Sequence, residues 1–131
     1  MNGLDQFIEK VKTVVATDAE EKLLREQYNQ VILPGMKKIK EDLNKIEGFN
    51  YSVSVSEGHS DLKIRDKEFT IRVDAVTNTI KIYTITDPTN YVDVDKIILK
   101  EEKLFSTERD EIFTEEILVV YLNEVFKEIL G

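Results

Sequence analysis

Apolar residues recur every three or four positions from the start of the chain. Leu4, Phe7, Ile8, Val11, Val14 and Val15 share one face of a helix. Thr17-Asp18-Ala19-Glu20-Glu21 offers a cap residue followed by acids, which predicts a break and restart there. The stripe resumes with Leu23, Leu24, Tyr28, Val31 and Ile32. Pro34 has no amide proton to donate and disfavours helix at the residue before it, so a kink or short break is expected at Pro34-Gly35. Met36, Ile39, Leu43 and Ile46 extend the pattern to Gly48, placed to cap it. The expectation is one long bent helix, or two helices in line.

The period then changes from helical to alternating. Phe49, Tyr51, Val53 and Val55 interleave with Asn50, Ser52, Ser54 and Ser56, the pattern of a half-buried strand. Leu62 and Ile64 follow, then Phe69, Ile71, Val73 and Ala75, then Ile80 and Ile82. Glu57-Gly58-His59-Ser60, Asp66-Lys67 and Thr77-Asn78 stand between these runs as hairpin loops. Loops of those lengths pair Val55 with Leu62, Ile64 with Phe69, and Val73 with Ile82. Every pair matches apolar to apolar, and a slip of one residue would turn each set over. On the opposite face Arg65 meets Glu68 and Asp74 meets Lys81, opposite charges across a ladder.

A fifth strand is expected near residues 91–99. An odd loop or a bulge would turn Val92, Val94 and Ile98 inward and leave Asp93 and Asp95 on the outer face of an edge strand, where charge discourages edge-to-edge pairing. The last element is a helix over Ile112 to Leu130, with Ser106, Thr107 and Asp110 as candidate caps. Its apolar residues cover well over half its circumference, which requires burial. The order predicts a single α+β domain over residues 1–131. It has two layers: a long N-terminal helical segment and a C-terminal helix on one face of a four- to five-stranded antiparallel meander, with the other face in solvent.

Composition narrows the chemistry. The 131 residues include no cysteine and one histidine, which excludes disulfides, thiolate metal sites and multi-histidine metal centres. No glycine-rich phosphate loop, GxSxG elbow or HExxH is present. The start, MNGLDQFIEK, has no basic segment followed by an apolar run, and no apolar run approaches the ~20 residues of a membrane span. A soluble cytoplasmic protein of bacterial character, with no cofactor, is expected.

The net charge of −8 repels phosphate backbones, so nucleic acid is not an expected partner. Residues 87–116 hold ten acids and four bases, a local −6 out of −8. Within that stretch Glu101, Glu102, Glu108, Asp110, Glu111, Glu115 and Glu116 form a candidate surface for a basic protein partner, although acids in a first helical turn are also what the macrodipole favours. Lys63, Arg65, Arg72, Lys81 and Tyr83 form a candidate face for an anionic partner on the outer side of the sheet. His59, between Glu57 and Asp61, reads as part of a solvated turn rather than a catalytic base. Asp87, Asn90, Asp93 and Asp95 do not have the spacing of a calcium loop and read as a turn and a charged edge.

These features predict a small non-enzymatic interaction module, such as an adaptor, regulator, chaperone-like or immunity-type factor, that binds another protein. A side of the terminal helix left uncovered would serve a homodimer. The alternative is a carrier of a small apolar ligand held between sheet and helices.

Overall fold

The computed structural model describes residues 3–46, 50–87 and 90–130. Gly48 and Phe49, assigned above to a helix cap and to the first strand, lie outside the described residues, as do Pro88 and Thr89.

The chain begins with α1 (Gly3–Val31), unbroken through the Thr17–Glu21 segment. Thr17 does not cap a new helix; its hydroxyl donates back to the Thr13 carbonyl at 2.9 Å, so the helix runs on. The break comes at Ile32. Pro34 sits in the first turn of α2 (Leu33–Leu43), where its missing amide proton costs nothing.

Among the described residues the sheet has seven strands in sequential order, all antiparallel: β1 (Tyr51–Ser56), β2 (His59–Ile64), β3 (Lys67–Asp74), β4 (Thr79–Asp87), β5 (Asn90–Lys100), β6 (Lys103–Ser106) and β7 (Glu111–Ile112). The chain closes with α3 (Glu115–Val125) and the short α4 (Lys127–Leu130). The class is the α+β arrangement expected, with more strands. Residues 103–106 and 111–112 are strands joined by a turn, not the approach to a helix. Ser106 lies in β6, the Thr107 hydroxyl donates to the Lys96 carbonyl at 2.6 Å, and the cap of α3 is Thr114, whose hydroxyl accepts from the Ile117 amide.

The first three hairpins keep the expected faces but not the expected partners. Val53 pairs with Leu62, Leu62 with Phe69, and Val73 with Ile80. Each register is two residues away from the one read off the loops. Two residues is the pleat repeat, so every side chain keeps its face. Backbone conformation at the turns selects the register: Gly58, Arg65 and Asn78 take positive φ of 81°, 57° and 52°. Arg65 therefore leaves the outer sheet face for the β2–β3 turn, and Glu68 faces Lys63 instead of Arg65. Ala75 falls in the β3–β4 turn. Arg72 now faces Lys81 and Thr70 faces Tyr83. Asp74 and Lys81 still meet diagonally, at 2.8 Å.

In β5 the expected bulge exists but acts at a different place. The register shifts between Ile82 and Tyr83, so that Tyr83 faces Asp93 while Ile82 faces Asp95. Val94 is the extra residue. Asp93 points outward as expected. Asp95, expected outside, is turned into the core side with Ile97 and Leu99, and Ile98 is not the inward residue.

Leu24, Tyr28, Ile32 and Met36 from the helices pack on Phe69, Ile71, Ile80, Ile82 and Ile97 from the sheet, with Phe113, Leu118 and Phe126 completing the core. Burial of each such side chain contributes roughly 1.5–3 kcal/mol. Two polar groups are drawn into this layer. The Tyr28 hydroxyl donates to Ser60 Oγ at 2.6 Å. Asp95 is 5% exposed and accepts from the Tyr121 hydroxyl (2.6 Å), the Lys96 amide (2.7 Å), the Glu108 amide (3.2 Å) and the Ser106 hydroxyl. Its charge is thus matched by four donors, as burial demands.

Candidate functional site

The N-terminal half of α1 leaves the domain. Asn78 in the β3–β4 turn reaches the Thr17 carbonyl and Glu20, each at 3.4 Å. Every residue from Gly3 to Glu20 is exposed. The first residue of α1 in the core is Leu24. The stripe expected to roof the sheet therefore covers nothing: Leu4 is 64% exposed, Phe7 61%, and Val14 and Val15 59% each. At about 100° per residue, this stripe is centred about 100° around the helix from the one that carries Leu24, Tyr28 and Ile32. Only the second stripe faces the sheet.

An apolar groove, lined in part by core residues, opens at the far end of the helical layer. Ile39 and Leu43 of α2 form one wall, Leu118, Leu122 and Phe126 the other, and Leu62 lies in the floor of a groove of about 460 Å³. Glu115 and Asn123 stand at its edge, as do Lys38 and Asp42, which pair at 3.4 Å. It runs into a smaller hollow of about 310 Å³ between Leu43, Tyr51, Ile64 and Ile129, with Arg65 at its rim. Val119 and Leu130, on the terminal helices, also stand open here, 47% and 60% exposed.

The acidic residues do not gather into one place. Glu101 and Glu102 form the β5–β6 turn, beside Gln27, Gln30 and Val31 of α1. Glu108 lies near Lys81, Lys96 and Asp93 on the outer side of the sheet. Asp110 is in the β6–β7 connection, Glu111 is in β7, and Glu115 and Glu116 open α3, where their charge favours the helix N-terminus.

The outer face holds Lys63, Arg72, Lys81 and Tyr83 in neighbouring strands, as expected. Arg72 Nε donates to the Tyr83 hydroxyl at 3.3 Å, and its guanidinium lies 5.7 Å from the ring centre. Tyr91 adds a second aromatic, 5.6 Å from Tyr83 between ring centres. Register places His59, Arg72, Lys81 and Lys96 in one transverse row. Asp74 answers that row at Lys81 and holds its own carboxyl below the ordinary range through the Lys81 hydrogen bond, while Asp61 stands 3.1 Å from His59 Nε2. The row is a braced cationic strip rather than an open one. Among the described residues no group of three or more His, Asp or Glu could hold a metal ion.

Two features escaped sequence reasoning. The groove depends on the distance between α2 and α3, which no periodicity encodes. The open state of the arm stripe had a signal, the angular offset between the two stripes on α1.

The fold defines a two-layer α+β protein, an antiparallel meander roofed on one face and extended by a free helical arm. The chain belongs to the family described as Protein of unknown function (DUF3942), whose model matches residues 4–130, arm included. No curated protein and no solved structure matches it significantly. No helix among the described residues is long and apolar enough to cross a membrane.

Proposed function

We propose that this protein is a small non-enzymatic protein-interaction module whose binding element is the N-terminal arm of α1. The observation that carries the reading is the exposed stripe of Leu4, Phe7, Ile8, Val11, Val14 and Val15. Exposed apolar patches of this kind mark association surfaces, and anchors at i, i+3, i+4 and i+7 are the pattern by which an amphipathic helix enters a groove. The scatter of the acidic residues over several parts of the surface favours the arm over the acidic stretch as the main contact.

The test is affinity capture from the native host with the wild-type chain, Phe7→Asp/Val11→Asp, and a charge reversal at Glu101, Glu102, Glu115 and Glu116. Loss of a specific catch in the arm variant alone is the expected result. A catch indifferent to the arm would overturn the reading.

The groove beside α2 favours a second reading, a carrier of a small apolar ligand, since its size falls within the ~300–1,000 Å³ of ligand pockets. Native mass spectrometry of protein purified from its host separates the two: a retained small molecule in place of a protein partner favours the carrier.

A further inference from the structure

We infer that the arm's partner is the groove of a second copy of this chain, so that two molecules exchange arms around a two-fold axis. The inference rests on the reading of the arm as the binding element and names what it binds.

The chain presents an apolar rod and an apolar groove at once, and cannot join them within one molecule. α1 is a continuous helix from Gly3 to Val31, with no proline or internal glycine at which it could fold back. Its stripe is turned about 100° from the face that packs on its own sheet.

Pairing of two arms with each other is the poorer solution. Leu4, Phe7, Val11 and Val14 follow the 3–4–3 spacing of a coiled-coil seam, but Asp18 and Glu21 occupy the next two seam positions, so the seam ends after two heptads. Sustained coiled coils need about three or four. Ile8 and Val15 also widen the stripe to about 120°, the width of a helix that faces a groove rather than a single partner helix.

Area supports the same choice. Six apolar side chains, each about half exposed, offer on the order of 500 Å². Two arms against each other then bury at most roughly 1,000 Å², under the ~1,200 Å² at the lower limit of stable interfaces. With each arm in the other copy's groove, groove lining is buried as well and the contact is made twice, which takes the total above about 1,200 Å².

Charge also fits. Lys10 and Lys12 flank Val11, one on each side of the stripe. The groove carries an acid on each wall, Asp42 on α2 and Glu115 on α3. Asp42 already pairs with Lys38 and Lys45, at 3.4 and 3.5 Å, and Lys12 with Glu9 at 3.3 Å, so the complement left open is Lys10 on the rod against Glu115 on the α3 wall.

The absence of cysteine makes the test direct. Size-exclusion chromatography with light scattering on the purified full chain should give a dimer at about 100 µM, a concentration well above a micromolar dissociation constant. Phe7→Asp/Val11→Asp should weaken dimerisation at least tenfold, with circular dichroism unchanged and the same melting temperature as wild type at concentrations low enough for both to be monomers, because both side chains are outside the core. An oxidised mixture of a Val11→Cys chain and a Val119→Cys chain should yield the mixed disulfide dimer, with little product from either alone. A wild-type monomer at that concentration, a dimer indifferent to the arm variant, or disulfides only between two Val11→Cys chains would each overturn the inference. A monomer whose arm still retains a host protein overturns this inference alone. An arm without effect on both mass and capture overturns the interaction reading too.

Discussion

Tyr28 illustrates how one buried hydroxyl ties stability to pH. Burial pushes its ionisation up to about 12 from 10, against the opposing effect of its bond with Ser60 and with a contribution from Asp61. A phenol with a raised folded-state pKa favours the folded state below pH 10, and that contribution is lost as pH rises through 12. The lost stability is on the order of 2–3 kcal/mol. Tyr121, raised to about 12 by burial and by its bond to Asp95, acts in the same window and sense. Tyr28→Phe should therefore lower stability at pH 7 by about 1–3 kcal/mol, because Ser60 loses its partner, yet flatten the decline between pH 10 and 12. Chemical denaturation at pH 7, 10 and 11.5 reads both effects. An equally steep alkaline decline in the variant would contradict the assignment to Tyr28. On the acid side the sign reverses: Asp74, held low by Lys81, stabilises above the ordinary carboxylate range and ceases to do so as pH falls below it.

At the scale of elements, the hairpins are governed by two separate devices. Alternation chooses the face of each strand, and turn conformation chooses the partner. The β5–β6 hairpin shows the second device under load. Glu101 and Glu102 both take positive φ, 52° and 64°, in a two-residue turn where Asn and Gly are the favoured residues. Each side chain held there costs on the order of 1–2 kcal/mol. Glu101→Asn/Glu102→Gly should raise stability by about 1–2 kcal/mol, measured as an upward shift of the denaturation midpoint with unchanged slope. No gain would mean that the two glutamates are relieved by contacts with the neighbouring α1. The turn carries two of the residues proposed from charge alone, so the same variant also tests them in the capture assay.

At the scale of the whole molecule, the domain and its arm are energetically separate. The core begins at Leu24, and the arm contributes none of it. Removal of residues 1–16 should change stability by less than about 1 kcal/mol, the range of surface changes, when measured at concentrations too low for dimerisation, while it abolishes dimerisation and partner capture at higher ones. A loss of several kcal/mol on truncation would show the arm to be part of the fold rather than an appendage to it. The −8 charge opposes self-association at long range, so dimerisation through the arm should strengthen with added salt rather than weaken.

The local pattern by itself determined the α+β order, the faces of the first four strands and the helical character of both ends, because side-chain periods of two and 3.6 are properties of short segments. It also marked the arm stripe, Leu4 to Val15, as apolar and helical. What covers that stripe was decided only by tertiary structure, since the sheet ends where Asn78 meets Thr17 and an apolar face looks the same in sequence whether buried or bare. The inward turn of Asp95 was likewise a tertiary decision. An aspartate on a strand reads as an outward residue unless its donors are known, and Ser106, Glu108 and Tyr121 are brought to it by three later elements. The groove belongs to the same class. Its walls come from residues about eighty positions apart, and the gap between them exists only once the sheet holds both helices in place.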